Sequence, residues 1–268
     1  MDVFIGIDVA CAKGKYLPLV ICTLENGRLV PFPLASYPIK PPRGLGNART
    51  LDDRVNQAFA ENVASYIETV CDAFHLSPIR IGIDSPLRPR DNHLNRRFAE
   101  QALDRAGISC YTTPSADDFM VIKAKGIAHL EAGKPVQNLS HAHQIFMLLG
   151  FVLNERLSKV AECIEVYPHA TVKQLGVADI HKSKGNQAEL QLSAMSHYTG
   201  WPKTDYDWSQ ADNMCLGPMH DRVDAYSAAW VASLPEQERI SFGEPEKGDA
   251  IWIPDVKPIS SAAANLAT

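Results

Sequence analysis

The sequence predicts an α/β protein: a sheet that opens as an antiparallel meander and continues in strands alternating with helices. Three observations carry this. Val3-Phe4-Ile5-Gly6-Ile7-Asp8 and Ile79-Arg80-Ile81-Gly82-Ile83-Asp84 are short runs rich in β-branched residues, each with a glycine two positions before a closing carboxylate. Glu25-Asn26-Gly27-Arg28 lies between two further β-prone runs and has the chemistry of a tight hairpin. Between Leu51 and Phe74, the apolar residues Val55, Phe59, Val63, Ile67 and Val70 recur at helical spacing and lead straight into the second Gly-x-Asp run.

In chain order, the first run is a buried strand closed by Asp8 and followed by Lys13-Gly14. Tyr16–Leu24 and Leu29–Tyr37 read as the second and third strands, and Pro38, Pro41 and Pro42 break the sheet. After the long helix and the Asp84 strand, Pro86 and Pro89 impose a stop. Asn92–Ala106 reads as a helix closed by Gly107, and Ile108–Thr113 as a fifth strand. Residues 116–139 are weakly periodic and read as an irregular excursion or lid. His141–Leu157 is apolar around more than one face, so a buried helix is expected. Cys163-Ile164-Glu165-Val166 is a further strand, His169–Leu175 a short helix, Lys182–Asn186 a basic loop and Gln187–Tyr198 a helix. Pro202–Leu216 shows no pattern. The helix opened by His220-Asp221-Arg222-Val223-Asp224 carries Ala225, Ala228 and Ala229 along nearly one face, small enough for close approach to a sheet. A single domain over 1–258 with a disordered tail at 259–268 is expected.

The chain has 268 residues, of which 46% are hydrophobic, enough for a full core. No apolar run approaches the ~20 residues that cross a bilayer, and the N-terminus does not read as a signal peptide, so a cytoplasmic protein is expected. Six scattered cysteines without a Cys-x-x-Cys pair read as reduced core residues. A formal net charge of −5 argues against a surface coated in basic groups. A local basic groove is compatible with Arg88, Arg90, Arg96 and Arg97, together with Lys123, Lys125, Lys182 and Lys184.

An ionised carboxylate in an apolar strand needs a compensating partner. Asp8, Asp84, Glu165 and the pair Asp221 and Asp224 each stand where the pattern predicts burial or a cleft. One shared cation accounts for them more economically than separate caps and ion pairs, although Glu165 can equally pair with an arginine. Oxygen ligands without His or Cys suit Mg²⁺ or Mn²⁺, ions used by nucleases to stabilise the attacking and leaving oxygens of phosphoryl transfer. His169 and His220 stand near the proposed cluster as candidate proton shuttles.

The ordered set Gly6-Ile7-Asp8-Val9-Ala10, Gly82-Ile83-Asp84-Ser85-Pro86-Leu87, Glu165-Val166-Tyr167-Pro168, Asp221-Arg222-Val223-Asp224-Ala225, Gly243-Glu244-Pro245 and Ile251-Trp252-Ile253-Pro254 resembles the DUF429 family. Its members are regarded as predicted nucleases of RNase H-like fold. The last helix is also similar to that of RuvC-type junction resolvases. The resemblance implies three antiparallel strands followed by parallel ones, flanked by helices, with Asp8 on the central strand. Asp8, Asp84, Glu165, Asp221 and Asp224 would be the catalytic set, with Asp8, Asp84, Glu165 and Asp224 holding Mg²⁺ or Mn²⁺. Lys13, Arg90 and Arg96 would hold the backbone of a DNA or RNA substrate. A homodimer is compatible with this reading. Two alternatives stand beside it: a nucleotide-binding phosphotransferase of the actin and hexokinase type, and a binding protein that keeps the fold without chemistry.

Overall fold

A computed structural model gives the fold and describes residues 1–9, 12–177 and 183–258. Cys11, Lys182 and the expected tail at 259–268 lie outside the described residues. In chain order the elements are β1 (Asp2–Asp8), β2 (Leu19–Glu25), β3 (Arg28–Pro31), α1 (Asn47–Thr50), α2 (Asp53–Phe74), β4 (Ser77–Asp84), α3 (Phe98–Arg105) and α4 (Ala116–Glu131). Then come α5 (Ala142–Leu157), β5 (Glu162–Glu165), α6 (Pro168–Gln174), α7 (Gln187–Thr199), α8 (Asp205–Gln210), α9 (Met219–Ser233), β6 (Arg239–Glu244) and β7 (Asp249–Pro254).

The main sheet has the order β3-β2-β1-β4-β5, with β2 antiparallel to both β1 and β3, β4 parallel to β1 and β5 parallel to β4. The hairpin between β2 and β3 turns on Asn26 and Gly27, both at positive φ (52° and 78°), the conformation an Asn-Gly pair accommodates at little cost. The third strand stops at Pro31, well before Tyr37, because Pro31 and Pro33 supply no ladder donors.

Side-chain alternation gives the central strands two different faces. Val3, Ile5 and Ile7 of β1 and Ile81 and Ile83 of β4 enter a core with Phe59, Val63 and Ile67 of α2 and Leu149 and Leu153 of α5. The opposite face carries Gly6 and Gly82, and α9 lies directly on them. A Cβ added at Gly6 would fall 1.9 Å from the Ala225 carbonyl oxygen, and one at Gly82 would fall 2.3 Å from that of Ala228. Ala225, Ala228 and Ala229 are fully buried in this contact. Helix and sheet therefore meet backbone to backbone.

Three segments depart from expectation. Residues 108–113 form no strand, since side chains occupy their carbonyls: Tyr167 Oη donates to Ser109 (2.9 Å), Gln144 Nε2 to Thr112 (2.8 Å) and Arg90 Nε to Thr113 (3.1 Å). The stretch read as an irregular excursion contains the sixteen-residue helix α4, opened by a capping box in which Ser115 and Asp118 exchange hydrogen bonds. The helix expected from Asn92 begins only at Phe98, after Arg97 has turned into the interior. The C-terminal residues form a hairpin, β6 with β7, that the sequence reading left unassigned. Among the described residues, no helix is long and apolar enough to cross a membrane. The described cysteines are all free thiols, with Cys22, Cys71 and Cys215 buried.

Candidate metal centre

The site lies at the C-terminal ends of β1 and β4. The parallel register places Asp8 level with Asp84, and residues level on neighbouring strands point to the same face. That face is the one covered by α9. Because the helix rests on glycine, its first turns come close enough for Asp224 to meet both strands. Asp8, Asp84 and Asp224 each contribute an oxygen, and the three atoms lie within 4.8 Å of one another. Asp224 is buried, while Asp8 and Asp84 are partly open to solvent.

Contacts remote from the carboxylates fix α9. Tyr226 Oη donates to the carbonyls of Leu29 (2.8 Å) and Trp201 (3.2 Å), and Arg222 pairs with Asp212. Cys215 lies beside the cluster. Burial first, and then the nearby charges of Asp8 and Asp221, push its thiol up to about 12 against the opposing pull of Arg222, so it is an inert thiol.

Asp221, expected on the same face as Asp224, stays outside the cluster; its carboxylate meets His220 Nε2 at 3.2 Å. Three residues set the two side chains about 60° apart around the helix and about 4.5 Å apart along it, so Asp221 lies nearer the helix start, at the rim, while Asp224 reaches the sheet.

Glu165 also stays outside. Its register partner is Ile83, one residue short of Asp84, so its side chain starts from the sheet face opposite α9. There it is buried and receives both Arg97 Nη1 (2.9 Å) and Nη2 (2.7 Å), with the Leu87 amide at 3.2 Å. Arg97 Nε continues to Asp249 at 2.9 Å, and the other Asp249 oxygen accepts from the Phe98 amide at 2.8 Å. Burial works against the Arg97 charge, but Glu165 and Asp249 outweigh it and hold the guanidinium protonated. Burial raises the Glu165 carboxyl above its ordinary value against the pull of Arg97. The pair welds β5 to α3 and to the C-terminal hairpin. Asp249 gave no signal in the sequence reading; its role depends on a hairpin that places it opposite a buried arginine.

The expected phosphate contacts divide. Lys13 is exposed on the turn after β1, at the same end of the sheet as the carboxylates. Arg90 instead supports a loop through Thr113, Leu94 and Asp118. Arg96 is held by Asp104 (2.5 Å) and the Cys110 carbonyl (3.2 Å). Lys123 pairs with Asp53.

No curated protein and no solved structure matches the chain. One family profile, described as a protein of unknown function (DUF429), matches residues 6–247. The match begins at the glycine beneath α9 and runs through all three converging carboxylates; the chain belongs to the DUF429 family.

Proposed function

We propose that this protein is a divalent-metal-dependent nuclease of RNase H-like architecture. The strand order 3-2-1-4-5, antiparallel for the first three strands and parallel thereafter, supports the architecture. One observation carries the chemistry: Asp8, Asp84 and Asp224, from three separate elements, converge within 4.8 Å at the sheet's C-terminal edge. At that separation each pair of ionised carboxylates repels by roughly 3 kcal/mol at an effective dielectric of about 20, a cost that a bound cation would reverse.

The donor set fits Mg²⁺ or Mn²⁺, being three carboxylate oxygens without His or Cys. When bound, such an ion supplies Lewis-acid stabilisation of a phosphoryl group and a nucleophilic water at neutral pH. The protein's part is to hold the three carboxylates on rigid elements, aim them at one point, and leave Asp8 and Asp84 open on the solvent side where a phosphodiester can approach. Lys13, exposed on the turn that follows β1, is a side chain that could pair with a phosphate. Glu165, with Arg97, sets the position of the strand bordering the site.

Incubation with Mn²⁺ and labelled single-stranded, duplex, hybrid and branched nucleic acids tests the reading, with Asp84→Asn run in parallel. Cleavage by wild type alone is expected. Equal cleavage by the variant, or none by either, overturns it.

A further inference from the structure

Beside the carboxylates the structure has a cleft in which Asp84 forms part of the wall. Three aromatic rings, Tyr111, Tyr167 and Phe146, are among its lining residues. Tyr111 is 61% exposed, and its ring lies 4.8 Å from that of His143. Tyr167 is held rigidly by its hydroxyl on the Ser109 carbonyl at 2.9 Å. Thr113 also lines the cleft and is fully buried, and its hydroxyl has no hydrogen-bond partner among the described residues. It is one of four such buried hydroxyls among the described residues, with Tyr66, Thr171 and Ser227, and of these it is the one that lines the cleft, where a ligand's hydrogen bond would remove the cost.

The charges of the cleft say what kind of ligand fits. Asp84, Glu100 and Glu165 line it, and the cation among them, Arg97, is already shared between Glu165 and Asp249. A phosphate is therefore repelled. A flat, uncharged ring with hydrogen-bonding edges is accepted, through stacking on tyrosine and a contact with Thr113. Asp84 belongs to both the cleft and the carboxylate cluster, so the ring's own chain would continue directly over the cluster.

We infer that this cleft takes one unstacked nucleobase adjacent to the phosphate at the carboxylates, so that the substrate of the proposed nuclease is single-stranded or locally unpaired nucleic acid. This rests on the nuclease reading for the role of the neighbouring cluster. A base inside a duplex is covered on both faces and reaches such a cleft only after unpairing.

The test separates the two ideas, because binding is measured in Ca²⁺, a hard cation that neutralises the carboxylates, and cleavage is scored separately in Mn²⁺. Fluorescence anisotropy of a labelled twelve-residue single strand, and of the same strand annealed to its complement, is recorded for wild type, Tyr111→Ala and Tyr111→Phe. Wild type should bind the single strand at least tenfold more tightly than the duplex. Tyr111→Ala should lose about tenfold or more of the single-strand affinity, and Tyr111→Phe should keep it. A single strand carrying 2-aminopurine should be quenched by wild type and Tyr111→Phe but not by Tyr111→Ala. Equal affinity of wild type and Tyr111→Ala, equal affinity for single strand and duplex, or no binding at all overturns the inference. Tyr111-dependent binding without cleavage in Mn²⁺ would retain the cleft and reject the nuclease; cleavage without Tyr111 dependence would do the reverse.

Discussion

At the scale of single residues, the two aspartates of α9 have different surroundings and should behave differently. Asp224 is buried within the cluster, and Asp221 faces His220 near the rim. Asp224→Asn should abolish Mn²⁺-dependent cleavage in a gel assay, whereas Asp221→Asn should retain it within a few-fold. Gly6 offers a second test. Its added methyl would strike the backbone of α9, which has no rotamer through which to escape, so Gly6→Ala should cost at least the ~1–3 kcal/mol usual for overpacking. A fall of several degrees in melting temperature would register it. Asp8, Asp84 and Asp224 were legible in the sequence because a lone carboxylate closing an apolar strand, or heading an alanine-rich helix face, breaks the local pattern. Glu165 broke its pattern in the same way and yet belongs to Arg97, because one residue of register decides which face of the sheet it enters. Sequence spacing within a strand does not contain that offset.

At the scale of elements, α4 went unrecognised because its apolar residues run around it. Phe119 and Ile122 are buried while Met120, Val121 and Ile127 are exposed, so no stripe marks a helix. Its start was nevertheless written in Ser115-Ala116-Asp117-Asp118, a capping sequence. Hydrogen bonds from Ser115, and the nearby Arg90, hold the Asp118 carboxyl below its ordinary value despite some desolvation. The folded value is the lower one, so this cap contributes above the ordinary aspartate range near pH ~4 and is lost as pH falls through the depressed folded value. In Ser115→Ala the Asp118 carboxyl should titrate at higher pH by carbon-detected NMR, and the protein should lose roughly 1 kcal/mol of stability at neutral pH. The opposite error, a strand expected at 108–113, has the complementary cause: β-prone residues form a strand only beside a free edge, and here side chains take the carbonyls first.

For the whole molecule, the meander and the helix–strand alternation followed from turn chemistry and periodicity, and the convergence of distant elements from carboxylates that share one cation and an alanine face that fits close to a sheet, with the family resemblance adding the strand directions. The C-terminal hairpin escaped both, since its packing depends on α3 and on Arg97. The assembled site predicts a global response. An ion that binds only the folded chain stabilises it by about 2.7 kcal/mol at a hundredfold excess over its dissociation constant. Thermal unfolding monitored by circular dichroism should therefore shift upward by several degrees on adding Mn²⁺ and return on adding EDTA. Asp84→Asn should show no such shift, and without metal should be at least as stable as wild type, having lost one like-charge neighbour.

The three carboxylates are drawn from positions 8, 84 and 224, and the last is brought in only when α9 settles on the two glycines of the sheet. During synthesis, strands β1 and β4 can pair long before the helix that completes the site has left the ribosome. On the nuclease reading, a nascent chain therefore carries only two of the three groups, and the site is complete only once α9 has been made.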